Sequence, residues 1–143
     1  MRNIIFRQSL AIPYRVYQGR LEICLITSLR KRRWCFPKGY VEPGETDTEA
    51  ALKEAWEEAG LTGRIVGESL GSYDDKKLGT VRRITCYTMQ VARSRREWNE
   101  SSLRRRCWLP AAEALELVDR AKQRAILAVA IQRLVRRVAR AAG

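Results

Sequence analysis

The chain of 143 residues contains no histidine. A Ser-His-Asp triad, a Cys-His nucleophile pair and a histidine-ligated metal are therefore excluded, and acid–base work falls to carboxylates, lysine, tyrosine or thiols. Cysteine is sparse: Cys24, Cys35, Cys86 and Cys107 stand far apart, which suits buried reduced thiols and offers neither a close zinc-binding pair nor a disulfide frame. Long apolar runs are missing too. "LEICLITS" (21–28) contains a glutamate and is much too short to cross a bilayer. The N-terminus has early arginines but no apolar stretch followed by small residues, so it does not read as a secretory signal. The expectation is a cytoplasmic protein with no membrane partner. There is no internal repeat or low-complexity linker, and the length suits one domain over 1–143.

Acidic residues are also in short supply, 16 against 28 Lys+Arg, for a net charge of +12. Residues 1–41 hold 9 basic and 1 acidic residue, residues 93–143 hold 13 and 5, and residues 42–92 hold 6 and 10. An acidic island thus lies between two basic flanks. Excess positive charge on this scale points to an anionic partner: nucleic acid, an anionic surface or a phosphate-rich small molecule.

The pattern of elements is strands then helix, twice over, which points to a mixed α/β or α+β domain. "SLAIPYRVY" and "LEICLITSLR" read as two strands joined at Gln18-Gly19. "RWCFPKGYVEPGET" reads as strand ends and turns, because Pro37, Gly39, Pro43 and Gly44 interrupt it. Thr46 and Glu49 have the spacing of a capping box, and Gly60 sits where a left-handed C-cap is wanted, so a helix is expected between them. Ala51, Leu52, Ala55, Trp56 and Ala59 supply its packing face. Two strands follow around a polar turn "DDKKLG", then a basic loop over 93–106, a closing strand "CWLP", a short helix, and a long helix near 119–141. On that last helix Ile126, Val129, Ile131, Leu134, Val135 and Val138 are expected to pack, with Arg133, Arg136, Arg137 and Arg140 wet; a nucleic-acid- or membrane-binding tail is the other reading.

Within "KEAWEEAG" (53–60), Glu54, Glu57 and Glu58 are three and four apart and share one side of the helix. Like charges so placed repel by about 0.2–0.5 kcal/mol per pair. A solvated face is one reading of them. A hard divalent cation, Mg²⁺ or Mn²⁺, held by carboxylates and substrate phosphates, is the other.

"GYVEPGETDTEAALKEAWEEAGL" (39–61) resembles the signature of the Nudix hydrolases. Gly39, Glu45, Glu54, Glu57, Glu58 and Gly60 fall in its register, with Ala55 and Leu61 at its apolar positions; Lys53 stands where the signature has arginine. The resemblance implies a Nudix α/β/α sandwich with a mixed β-sheet and a catalytic loop-helix-loop that binds Mg²⁺ (or Mn²⁺) and hydrolyses a substituted diphosphate. It further implies metal binding by Glu54, Glu57, Glu58 and the backbone carbonyl of Lys38. One carboxylate would act as general base, Glu57 first and Glu54 next, and Glu45 would orient the helix by pairing with Lys53.

The flanks resemble the branch that hydrolyses diphosphoinositol polyphosphates and diadenosine polyphosphates, through Ser28, Arg30, Trp34 and Pro37 before the motif and Trp98, Arg104, Arg105 and Trp108 after it. Lys38-Gly39-Tyr40 replaces that branch's glycine triplet. The similarity implies phosphate binding by Ser28, Arg30, Lys38, Arg83, Arg104 and Arg105. Trp34, Tyr40 and Tyr73 either stack on a base or pack in the core. Nucleoside triphosphates, RNA 5′ ends and a non-catalytic module that binds RNA or another anion remain alternatives.

Overall fold

Gln18 and Gly19 both take positive φ, 50° and 75°, and fold β1 (Ile4–Tyr17) back onto β2 (Arg20–Thr27) at the expected place. A second tight turn at Leu78-Gly79, φ 47° and 79°, joins β5 (Leu61–Lys77) to β6 (Thr80–Ser94). The polar segment 74–79 is therefore mostly strand, and only its last two residues turn. The remaining elements are β3 (Trp34–Cys35), β4 (Lys38–Tyr40), α1 (Asp47–Ala59), β7 (Arg106–Pro110), α2 (Ala111–Leu117) and α3 (Ala121–Ala142). The structure, a computed structural model, describes residues 4–142; residues 1–3 and 143 of the expected domain lie outside it.

All seven strands form one mixed sheet in the order β3-β2-β1-β6-β5, with β4 also on β1 and β7 also on β2. Among the described residues only β1 and β6 run parallel, over Ile4–Tyr14. This pairing explains why β1 already runs through Ile4–Gln8, ahead of Ser9: the partner strand, not the local apolar pattern, extends it. On its other side β1 pairs with β4 at 8–10 and with β2 at 14–17. Pro13, which has no N–H to donate, falls in the interval between the two.

Strand alternation divides the core into two. Leu10, Ile12 and Tyr14 of β1, with Ile23 and Leu25 of β2 and Ile84 and Cys86 of β6, pack under α2 and α3. Ala11, Cys24, Ile26 and Met89 point the other way and meet Ala51, Ala55 and Ala59 of α1. Helices thus cover both faces, as the expected α/β/α sandwich requires.

Two expectations about packing are corrected. On α3 Leu134 is buried and Ile126 and Ile131 pack against the core as expected, but the buried stripe is Gln123, Leu127, Ala130 and Leu134, and Val129 and Val135 fall on the solvent side of the helix, 44% and 53% exposed. On α1, Trp56 lies just past the buried alanines and is exposed, with the Arg95 guanidinium 5.3 Å over its ring. Among the described residues no helix is long and apolar enough to cross a membrane.

Candidate active site

The glutamate helix is fixed at both ends. At its start the Glu49 N–H donates to Thr46 Oγ1 (3.1 Å) and the Thr46 N–H donates to Glu49 Oε1 (2.9 Å), the reciprocal capping box expected from the sequence. Its end is Gly60 in the left-handed region, φ 67°, where a Cβ would sit 2.7 Å from Trp98 Cβ. Trp98 Nε1 donates to the Glu58 carbonyl (2.8 Å) and Arg106 donates to the Ala59 carbonyl (2.7 Å), with its guanidinium 4.2 Å over the Trp98 ring. Carbonyls left unpaired by the helix are thus satisfied from the segment after β6, which also brings a cation to the negative end of the helix dipole. In the sequence Trp98 stood out only through resemblance; its capping role needs the tertiary fold to be seen.

The loop before the helix is tied by Glu45. Its carboxylate accepts from Lys53 Nζ at 3.0 and 2.9 Å through its two oxygens and from the Glu42 N–H at 2.9 Å. Lysine therefore makes the expected pairing in place of arginine, as a point charge rather than a planar fork.

Behind the helix, β4 has no side chain at Gly39, and the Glu54 carboxylate occupies the vacated space: a Cβ at Gly39 would be 2.3 Å from Glu54 Cδ. Next to it the Lys38 N–H donates to Glu58 Oε1 at 3.3 Å. Glu58 is buried, and Arg104, itself only 10% exposed at the side chain, stands 3.6 Å from the same oxygen. Burial outweighs that guanidinium and pushes the Glu58 carboxyl up to about 8, with Glu54 adding repulsion. Burial first and Glu57 second raise Glu54 to about 7. Glu57 is half-buried.

The three carboxylates do not form one uniform acidic patch, because Glu58 is drawn inward to Arg104 and the β4 backbone. Among the described residues no three acidic, cysteine or histidine side chains converge into a preformed cation cage. The donor set still fits a hard divalent cation: every side-chain donor is a carboxylate oxygen, Gly39 leaves room for one of them, and two are held in a proton-retaining state by burial and mutual repulsion, which a cation would relieve.

Glu58 and Lys38 also form part of the wall of a cleft of about 480 Å³. Eight of its lining residues are Lys or Arg and one, Glu58, is acidic. The basic residues come from five places: the 28–33 loop, β4, the β5–β6 hairpin, the segment before β7 and the segment before α3. The loop is closed by the Ser28 N–H donating to the Arg33 carbonyl (2.8 Å) and the Arg33 N–H donating to Ser28 Oγ (3.0 Å). Gln123 of α3 accepts from the Phe36 N–H at 3.2 Å and so fixes the floor.

Of the expected phosphate-binding residues, Ser28, Arg30, Lys38 and Arg104 line this cleft, and Arg83 and Arg105 do not. Arg83 makes a two-pronged pair with Asp74, at 2.9 and 3.0 Å, and its neighbour Arg82 takes the cleft position. A one-residue step along a strand reverses the face. Arg105 is exposed and meets Thr27 through its backbone. Arg104 donates to Glu100 (2.7 Å) and to the Thr27 carbonyl (3.1 Å) while facing Glu58, so it holds the site together as well as lining it. Sequence reasoning missed Lys31, Arg33, Lys77, Arg82 and Arg120. Trp34 and Tyr73 pack against the α3-side core, and exposed Tyr40 meets Phe6 edge to face at 6.0 Å; none of the three lines the cleft.

A family profile of the NUDIX domain matches residues 8–130. The chain belongs to the Nudix family. It is 35% identical over 128 residues to Nudix hydrolase 21, chloroplastic, of Arabidopsis thaliana, covering 85% of this chain and 64% of that one. To the human diphosphoinositol polyphosphate phosphohydrolase 3-alpha it is 31% identical over 101 residues, covering 68% and 60%. This Nudix chain thus spans less than two thirds of the length of those relatives. Its fold is that of the C. elegans Ap4A hydrolase, with a TM-score of 0.75 at 22% identity over 92% of this chain and 99% of that one. The NUDIX domain of Shewanella oneidensis NrtR, complexed with ADP ribose, gives 0.74 at 16% identity over 94% and 90%.

Proposed function

We propose that this Nudix chain is a pyrophosphohydrolase that uses Mg²⁺, or Mn²⁺ in its place, to cleave a diphosphate linkage in a highly phosphorylated small molecule, a diadenosine polyphosphate or a diphosphoinositol polyphosphate. The observation that carries this reading is the junction of the glutamate helix with a cleft lined by eight cations and one carboxylate. Such a charge balance suits a ligand bearing several phosphates.

Glu54 and Glu58 would hold the cation with Glu57 and the Lys38 carbonyl, and the bound cation supplies charge neutralisation and polarisation at the phosphoanhydride. Lys38, Arg30, Arg82 and Arg120 bind the phosphate oxygens and set the attacked phosphorus against the helix. Glu57 accepts a proton from the attacking water as its oxygen bonds to phosphorus and the bridging P–O bond breaks. Arg104 keeps Glu58 oriented.

The test is incubation with Mg²⁺ and, separately, diadenosine polyphosphates, diphosphoinositol polyphosphates, nucleoside triphosphates and RNA bearing a 5′ triphosphate, with products identified by mass. The proposal expects one of the first two to be cleaved fastest. Cleavage of triphosphates or RNA ends alone would move the substrate class, and tight binding of these anions without turnover on either metal would make the chain a binding module.

A further inference from the structure

Ser9 is fully buried, and its Oγ is, among the described residues, the one buried side-chain nitrogen or oxygen without a hydrogen-bond partner. Such orphans are rare and each needs an explanation. Its position supplies one. Along β1, Arg7 pairs with Asp47 at the start of α1 and Ala11 packs in the α1-side core, so Ser9, between them at the same alternation, faces α1.

Directly across from Ser9 on β4 is Gly39, the residue whose missing Cβ makes room for the Glu54 carboxylate. Facing Cβ positions on antiparallel strands lie about 4.5–5.5 Å apart. Glu54 therefore stands across the strand pair from the hydroxyl, which makes no hydrogen bond to it in the metal-free fold, so a shift of the carboxylate or one buried water is needed to bridge the two. On the other side its neighbour is Thr85 of β6, whose hydroxyl is already bonded to Ser72 at 3.0 Å.

We propose that Ser9 is a positioning residue whose hydroxyl donates to the Glu54 carboxylate, directly or through a single buried water, when that carboxylate holds a divalent cation. This rests on the metal-dependent reading of the site. Carboxylates that bind metals depend on outer hydrogen-bond donors for their orientation, and loss of such a donor typically weakens metal binding about 10–100-fold. The metal-free fold makes no use of the hydroxyl, so removing it relieves an unsatisfied group instead of breaking a contact. A packing role and a positioning role thus predict opposite outcomes.

The experiment is a calorimetric titration of Mn²⁺ alone into the parent, Ser9→Ala, Glu54→Gln and the double variant, with metal-free melting curves of all four. Ser9→Ala is expected to bind Mn²⁺ about 10–100-fold more weakly, to melt no lower than the parent, and to cause no further weakening once Glu54 is glutamine. Parent-like Mn²⁺ affinity in Ser9→Ala, or equal weakening with and without Glu54, would overturn the proposal while leaving the metal reading intact. A parent that binds no Mn²⁺ would overturn both.

Discussion

Two helices cover one sheet from opposite sides and meet it differently. α1 lays Ala50, Ala51, Ala55 and Ala59 against the strands, whereas α3 uses Gln123, Leu127, Ala130 and Leu134. Small side chains let a helix come close, and α1 uses that closeness to press Glu54 onto Gly39 and Glu58 onto the Lys38 N–H. Their charges are opposite too: α1 has Lys53 among five acidic residues, while the α3 segment 121–142 has six Lys or Arg and no acidic residue. In the proposed reading α1 places the reacting groups. α3 supplies core and, only at its N-terminal end, touches the cleft through Gln123 and the preceding Arg120.

Substitutions should separate the two roles. Gly39→Ala asks only a flexible carboxylate to move, so stability should change little, while displacement of Glu54 should lower kcat/KM by about 100-fold; steady-state assays beside a melting curve check this. Leu134→Ala should do the reverse, costing about 2–5 kcal/mol in denaturant unfolding with kcat of the folded protein retained. Arg120→Ala, at the one place where α3 meets the site, should raise KM about 10-fold with kcat nearly unchanged.

A smaller effect should follow pH. Glu54 and Glu58 have folded-state values raised to about 7 and about 8 from the ordinary 4.5. The metal-free fold keeps protons there that the unfolded chain releases, so their contribution is full below the ordinary value and is lost as pH rises through the raised ones. The metal-free melting temperature should fall between about pH 5 and about pH 8.5, and the gain on adding Mg²⁺ should widen over that window. A gain independent of pH would detach the cation from these carboxylates. Smallest of all, Lys53→Arg should alter kcat by less than about threefold, since lysine already reaches both Glu45 oxygens.

The glutamate helix was the most legible part of the sequence, because its information is local. Thr46 and Glu49 cap it within four residues, Gly60 ends it by a conformation other residues rarely take, and the glutamates share a face by helical geometry alone. The Gln18-Gly19 hairpin was legible for the same reason. What failed was decided across the fold. The parallel partner β6 carries β1 through Ile4–Gln8, Arg104 turns Glu58 inward, and strand alternation gives the cleft Arg82 instead of Arg83. Orphaned Ser9 could not be noticed in the sequence, since only the pairing of β1 with β4 puts it opposite Gly39.

The most direct measurement is Mg²⁺-dependent hydrolysis of the best substrate by the parent and by Glu57→Gln, with Mn²⁺ binding and melting recorded for both. The account predicts a folded variant whose kcat is lower by about 10²–10⁴-fold. A folded Glu57→Gln that turns over at the parent's rate would contradict it.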